Sequence, residues 1–193
     1  MLHSDIKSRP TYTQLEPDLS GSQHLLIVEG DTVLPGRLDS LAGTFAPVEE
    51  NLHTWLVGTQ AGGLGLGKVW RLPGVADVVD AFACATRGYG IGDRLYVQGT
   101  EPFLWSVAKA AAIIGFSAEQ IHLHHAGSLR RRVWCTHCHT VTEDVTTSIA
   151  SCSGCHRHLL VRDHFSRRLG AFMGVMVDAE APGEVPAVEE SFA

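Results

Sequence analysis

Compact apolar runs alternate along the chain, up to about residue 128, with stretches whose apolar residues have helical spacing. His24–Glu29 and Thr54–Val57 are the first two such runs, and each is followed by a glycine. A short apolar run bounded by a turn residue is typical of a strand that is buried on both faces of a sheet. The pattern therefore predicts two buried strands in this part of the chain.

Two helices and two more strands are predicted after these. Over Val75–Arg87 the apolar residues recur every three or four positions, which favours an amphipathic helix. Arg94–Gln98 predicts a third strand, Phe103–Ile114 a helix that ends at a glycine, and Ile121–His125 a last strand. Strands that alternate with helices predict an α/β fold with a parallel sheet and right-handed crossovers.

The segment 94–126 resembles the last β-α-β unit of ferredoxin-reductase-like nucleotide domains, and this resemblance implies a Rossmann-like body. The cysteine of the Cys-Gly-Pro motif in those reductases is absent, because the chain reads Gln-Gly-Thr-Glu-Pro over 98–102. The glycine-rich run 61–67 is similar to a pyridine-nucleotide loop, but it lacks the Thr-Pro that follows there and the Ser or Thr of a Walker loop. Whether the body binds a nucleotide stays open, and we expect a surface loop or a close-packed turn at these glycines.

At 193 residues the chain has room for one core domain and a small appended module. Its longest apolar stretches, such as Val107–Phe116, are too short to cross a bilayer, and no charged-then-apolar leader is present. We therefore expect a cytoplasmic protein that makes no membrane contact. The predicted divisions are an irregular N-terminal arm (1–22), a Rossmann-like domain (23–128), a small cysteine-containing module with the segment after it (129–177) and an acidic tail of disordered composition (178–193).

Four of the five cysteines form two Cys-x-x-Cys pairs, Cys135 with Cys138 and Cys152 with Cys155, joined by 13 residues. Each pair can fold into a tight knuckle that presents two thiolates to one metal ion. Two disulfides are the alternative, but a Cys-x-x-Cys bridge closes a very small loop. We therefore predict a metal centre with these four cysteines as ligands. Zinc is preferred, so we predict that 129–177 is a zinc-ribbon module with the segment after it. Iron in a rubredoxin-like site or an iron–sulfur cluster stays open.

A site closed by four thiolates has no open position for water or substrate, which predicts a structural rather than a hydrolytic role. Four histidines lie beside the knuckles: His137, His139, His156 and His158. They are alternative ligands, but with four cysteines present we expect them at the surface or behind the ligands. Asp163 next to His164 is expected to make local hydrogen bonds rather than an acid–base pair, because no nucleophile accompanies it. No motif indicates catalytic residues or a cofactor-binding site.

Charge is unevenly distributed along the chain. Residues 129–168 carry seven arginines against three acidic residues, whereas the last 16 residues carry five acids and no base. A basic module between acidic segments suggests docking on an acidic surface, either another protein subunit or nucleic acid. For nucleic acid, Arg130–Arg132 beside Trp134 are the residues expected to contact phosphate and stack on a base.

Several motifs together are similar to one known family. They are Ile6–Pro10, His24–Ile27, Leu95–Pro102, the four-cysteine ribbon and the run Arg162–Val175. Over about residues 5–176 the chain resembles the small zinc-ribbon subunit of bacterial haem-dependent dimethylamine monooxygenase. The ribbon and the run after it are the specific part of this resemblance.

The resemblance implies a multi-subunit oxidoreductase that converts dimethylamine, dioxygen and NADPH into methylamine and formaldehyde. Haem is implied in an oxygenase subunit, and FMN with a [2Fe–2S] cluster in a reductase subunit. This chain has too few cysteines for such a cluster in addition to its ribbon. Its implied role is to assemble or bridge these two partners, with Zn²⁺ held by the four paired cysteines. The alternative function is a zinc-ribbon nucleic-acid-binding module.

Overall fold

The structure is a computed structural model that describes residues 8–32, 37–58, 66–84 and 89–193. The chain divides into two compact units. One is Tyr12–Gly127, and the other is Ser128–Ala193 together with the described part of the N-terminal segment before Tyr12. Within the described residues, no helix is long and apolar enough to cross a membrane.

The first unit contains a five-stranded sheet in which every strand pair is parallel. Its elements in chain order are β1 (Gln23–Glu29), α1 (Arg37–Phe45), β2 (Leu52–Val57), β3 (Lys68–Leu72), α2 (Val75–Ala83), β4 (Asp93–Gly99), α3 (Glu101–Ile113) and β5 (Ile121–His125). Short 3-10 turns occupy Gly30–Thr32, Ala46–Asn51 and Ala118–Gln120. The strand order across the sheet is β3-β2-β1-β4-β5. The predicted α/β fold with a parallel sheet is confirmed.

The apolar pattern missed two elements of this unit, α1 and β3. β3 lies at the edge of the sheet and exposes three of its five side chains, so it offers no apolar run. α1 has only nine residues and contains Gly43, which lowers helix propensity. The helix predicted over Val75–Arg87 ends at Ala83, and residues 85–88 lie outside the described part of the chain. So does most of the predicted glycine loop, 61–65.

The parallel sheet has an apolar layer on each face. On one face α2 and α3 pack over strand residues such as Ile27 and Leu95. On the other face α1 contributes Phe45, which packs with Leu26 and its neighbours. Side chains alternate between the faces of a strand, so β1 and β4 supply both layers.

The segment before β1 adds an irregular layer to the same face as α1. The N–H of Asp18 donates a 2.8 Å hydrogen bond to the hydroxyl of Tyr96 on β4. The carbonyl oxygen of Thr13 lies 2.8 Å from Nδ1 of His124 on β5. Between these points Leu15 is buried in the α1-side layer. This part of the predicted N-terminal arm is therefore tied to the sheet along β4 and β5.

The second unit contains a separate five-stranded sheet. Its strands are β6 (Arg131–Cys135), β7 (Val141–Val145), β8 (Ile149–Ser151), β9 (His158–Ser166) and β10 (Ala171–Met176), in the order β7-β6-β10-β9-β8. β6 and β10 are parallel, and the other pairs are antiparallel. The sequence predicted a four-cysteine ribbon and a distinctive run after it, but not the sheet that joins them. Most of β10 belongs to that run, and β10 lies between β6 and β9.

Gly174 allows β10 to lie between β6 and β9. A Cβ atom at this position would lie 2.7 Å from Cγ1 of Val133 and 2.9 Å from Cδ1 of Leu159. These distances are shorter than van der Waals contact, so a larger residue would push the three strands apart. The close approach buries the apolar side of the sheet directly beside the cysteine knuckles.

The end of the acidic tail is attached to the second sheet. Ser148 N–H donates a 2.8 Å hydrogen bond to the Glu189 carbonyl, and Phe192 N–H donates a 2.7 Å bond to the Thr146 carbonyl. The sequence predicts disorder for all of 178–193. In the structure the last five residues make these contacts, and the ring of Phe192 lies 3.7 Å from the guanidinium of Arg131. The division of the chain into domains stays a prediction.

Candidate metal centre

The first cysteine knuckle is a tight turn at the end of β6. Cys135 is the last residue of the strand, and its N–H donates a 2.9 Å hydrogen bond to the carbonyl of Thr140. The N–H of His139 donates back to the carbonyl of Cys135, also at 2.9 Å. His139 has φ of 64°, the left-handed conformation that closes the turn. This backbone directs Cys135 and Cys138 towards the same point.

The second knuckle repeats the same arrangement between β8 and β9. Cys152 N–H donates to the Arg157 carbonyl at 2.9 Å, and His156 N–H donates to the Cys152 carbonyl at 3.0 Å. His156 has φ of 58°. Both knuckles read Cys-x-x-Cys-His, so the left-handed position is a histidine in each. The repeated sequence produces the repeated backbone.

The four sulfur atoms form one cluster. Cys135 Sγ lies 3.8 Å from Cys155 Sγ, and Cys138 Sγ lies 3.5 Å from Cys152 Sγ. All four lie within 4.8 Å of one another. A tetrahedral centre with metal–sulfur distances of about 2.3 Å has sulfur–sulfur edges of about 3.8 Å. The four thiols therefore fit a tetrahedral metal ion, and these separations exceed a disulfide bond of about 2.0 Å.

The sulfur atoms differ in environment. Hydrogen bonds from the side chain and N–H of Thr140 lower the pKa of the Cys138 thiol to about 5. A backbone hydrogen bond from Arg157 lowers the pKa of Cys155. Burial raises the pKa of the Cys135 thiol to about 11. Cys138 and Cys155, which are half-buried, thus favour the thiolate form even without a metal ion. Cys135 needs a positive charge at the centre of the cluster to lose its proton.

The histidines beside the knuckles are exposed and lie outside the sulfur cluster, as the sequence predicts. His139 stacks on Trp134, with ring centroids 5.0 Å apart and planes inclined by 12°. His137 Nδ1 lies 3.0 Å from Nη1 of Arg157. These contacts brace the two knuckles from outside.

The arginine run that suggested nucleic-acid contact is largely occupied within the sheet. Arg131 is 3% exposed, and its Nη2 donates a 2.6 Å hydrogen bond to Asp163. Nε of Arg132 lies 2.8 Å and 2.9 Å from the two carboxylate oxygens of Glu143. Arg130 lies 3.9 Å from a carboxylate oxygen of Asp144. The sequence predicted a local hydrogen bond for Asp163, whereas this bond joins it to Arg131, 32 residues earlier in the chain.

One polar contact in the parallel-sheet unit was not predictable from the sequence. The carboxylate of Glu29, at the end of β1, accepts hydrogen bonds from the N–H (2.7 Å) and hydroxyl (2.9 Å) of Thr100, just before α3. β1 and β4 are neighbours at the point where the strand order reverses direction. In open α/β sheets, ligands bind at the carboxyl ends of the strands that meet at this point. A Cβ at Gly99 would lie only 2.7 Å from Glu29 Oε2. The anion position at the start of α3 is therefore filled by a carboxylate of the chain itself.

A small pocket opens at the opposite end of the strands of this sheet, where β1, β2 and β4 begin. Its volume is about 60 Å³, and its lining includes His24, Trp55 and Arg94. Small-molecule sites have volumes of roughly 300 Å³ or more. The pocket is therefore too small for a nucleotide.

Comparisons with known proteins point to the same family as the sequence motifs. Residues 132–175 match the family described as dimethylamine monooxygenase subunit DmmA-like, C-terminal domain. The chain is 34% identical over 175 residues to the heme-dependent oxidative N-demethylase delta subunit of Ectopseudomonas mendocina (strain ymp), which covers 91% of each protein. No solved structure matches the chain. The matched region contains the four clustered cysteines, and the chain belongs to the DmmA-like family of oxidative N-demethylase subunits.

Proposed function

We propose that the chain is the zinc-binding subunit of a multi-subunit, NADPH-dependent dimethylamine monooxygenase. The observation that carries the metal assignment is the sulfur cluster, in which Cys135, Cys138, Cys152 and Cys155 have the separations of a tetrahedral site. All four positions are protein thiols, so no position remains for substrate. Zinc would hold the two knuckles together and stabilise the second sheet, because structural zinc binding contributes directly to folding.

The proposed assembly follows from the relative's name, which describes a delta subunit of a heme-dependent enzyme. A delta subunit implies other subunits. We assign haem to an oxygenase subunit and FMN with a [2Fe–2S] cluster to a reductase subunit, because this chain offers no second set of four cysteines. The overall reaction is dimethylamine, O₂, NADPH and a proton giving methylamine, formaldehyde, NADP⁺ and water. This chain would hold the oxygenase and reductase subunits in a fixed position relative to each other.

The parallel-sheet unit is proposed to be a Rossmann-like, ferredoxin-reductase-like scaffold. Its strand order β3-β2-β1-β4-β5 corresponds to the first five strands of the doubly wound dinucleotide fold. Glu29 supports a scaffold role rather than nucleotide binding, because its carboxylate occupies the start of α3. We place the protein in the cytoplasm, where reducing conditions keep thiols available for metal.

No observation favours the nucleic-acid alternative. Arg131 is buried, Arg132 is held by Glu143, and one face of Trp134 is covered by His139. Phosphate contact through Arg131 or Arg132 would require breaking these ion pairs, and a base could stack only on the other face of Trp134.

The decisive experiment is affinity isolation of the tagged chain from its native host grown on dimethylamine. Metal analysis is expected to give one zinc per chain, and absorbance spectra are expected to show haem and flavin that co-isolate with NADPH-dependent demethylation. A reddish isolated chain that dithionite bleaches would replace zinc by iron. A colourless protein isolated alone with zinc, or with nucleic acid, would refute the assignment to the oxygenase.

A further inference from the structure

One face of the second sheet carries an apolar row to which every central strand contributes. Side chains alternate along a strand, and residues paired in register point to the same face. Val141 pairs with Trp134, Trp134 pairs with Met173, and Val175, two residues along, pairs with Leu160. The row is therefore Val141, Trp134, Met173, Val175 and Leu160. All five side chains are half-buried.

The opposite face of this sheet is already filled. It holds the buried residues Val133, Leu159, Phe165 and Phe172, which alternate with members of the row. Phe165 and Phe172 meet edge to face with centroids 4.9 Å apart. The sheet therefore has one closed apolar face, and the apolar row lies on the other.

Uncompensated positive charge borders the row. Arg162 lies two residues after Leu160 on β9, so it shares the face of the row. Arg167 and Arg168 are exposed in the turn between β9 and β10. The acidic residues of 129–168 pair with Arg130, Arg131 and Arg132, and within the described residues none of the three later arginines has an acidic partner. Positive charge beside half-buried apolar surface complements a surface that is acidic around an apolar centre.

We propose that this face, the apolar row with Arg162, Arg167 and Arg168, is the surface on which another subunit of the oxygenase docks through an acidic, apolar-centred patch. This inference rests on the proposed function, since it takes the partner from the same complex. The family match over residues 132–175 spans the whole face. Among the residues that the structure describes, the exposed stretch 179–188 forms no ion pair with these arginines, so the face is available to a separate protein.

The test uses the complex co-expressed with the tagged chain, at salt concentrations near and above 0.15 M, where the screening length is about 8 Å. The test variant is Arg167→Glu with Arg168→Glu, both in an exposed turn. Its matched control is Lys68→Glu with Lys109→Glu, which changes the net charge equally at exposed positions of the parallel-sheet unit. A second test variant, Val141→Thr with Val175→Thr, keeps β-branched shape but places hydroxyls in the row.

The readout is haem absorbance retained per tagged chain, with zinc content as the folding check. We expect both test variants to keep zinc and to retain roughly tenfold less haem near 0.15 M salt, while the control matches wild type. Unchanged retention in both test variants would overturn the proposal. So would salt-dependent binding of an oligonucleotide that Arg167→Glu with Arg168→Glu abolishes without affecting haem retention. A wild-type chain that brings no haem would instead refute the proposed function itself.

Discussion

The guanidinium of Arg131 donates a 2.6 Å hydrogen bond to the carboxylate of Asp163, across the strand that lies between them. Arg131 is on β6 and Asp163 is on β9, with β10 in between. The guanidinium lies 3.9 Å over the ring of Phe172 on β10 and 3.7 Å from the ring of Phe192 in the tail. One buried cation thus connects three strands and the C-terminal end of the chain.

Replacing this cation should destabilise the second sheet. Arg131→Met keeps much of the side-chain volume but removes the ion pair and both cation–π contacts. We expect the free energy of unfolding to fall by about 2–4 kcal/mol, towards the lower end because Asp163 is partly exposed. Arg132→Met, which breaks only the partly exposed pair with Glu143, should cost about 1 kcal/mol or less. Urea unfolding of the zinc-loaded chain measures both, and equal effects would contradict a special role for Arg131.

Removing one thiol should abolish the metal centre. Cys138→Ser is expected to lose zinc binding and to unfold residues 129–165, because the two knuckles then lose the metal ion that joins them. It should also release the chain from its complex. The control is Cys84→Ser, since Cys84 is exposed and lies outside the cluster. Zinc per chain and hydrogen exchange of the knuckle amides are the measurements, and an intact assembly in Cys138→Ser would count against a structural centre.

The contact at the start of α3 predicts a local loss of stability. Glu29→Ala removes the acceptor for the Thr100 N–H and hydroxyl, and it removes a negative charge from a helix N-terminus. We expect a loss of about 0.5–2 kcal/mol. Glu50→Ala, at an exposed position, should change stability by less than about 0.5 kcal/mol. NADPH added to the wild-type chain at millimolar concentration should not raise its melting temperature, and a clear rise would refute the scaffold interpretation.

Acid should loosen the parallel-sheet unit before it affects the ion pair between Asp18 and Arg94. Burial lowers the pKa of His24 and of His122, so the unfolded chain binds protons more readily than the folded chain. Stability is therefore unaffected well above pH 6.5 and falls as the pH drops below that value. Asp18, whose pKa is lowered chiefly by its hydrogen bond to Arg94, loses its contribution only below about pH 3.8.

Hydrogen exchange of the amides of β1 and β5 at pH 8, 6.5 and 5 tests the contribution of the histidines. These strands carry His24 and His122, and their exchange reports the parallel sheet separately from the metal centre. We expect faster opening at pH 5, with correction for the intrinsic pH dependence of exchange. His24→Gln should reduce the acid sensitivity, because it removes one of the two titrating groups. Acid sensitivity that is unchanged in this variant would show that His24 contributes nothing to it.

The sequence by itself determined the elements whose pattern is local. Buried strands such as β1 and β4 appear as apolar runs because both of their faces are covered, and α2 and α3 appear as periodic segments. The four cysteines were identifiable because two thiols spaced by two residues define a knuckle without any knowledge of the rest of the fold. The sulfur positions place all four in one cluster.

Only the tertiary structure decided the features that join distant parts of the chain. β3 is an edge strand whose pairing with β2 gives no apolar signal, and β10 is recognisable as a central strand only once β6 and β9 lie beside it. The sequence shows Arg131 as one of three adjacent arginines, which indicated surface charge. Its burial depends on Asp163, 32 residues away, and on the rings that cover it. Local patterns encode which segments avoid water, whereas partners of buried charges are fixed by strand order, which depends on interactions along the whole chain.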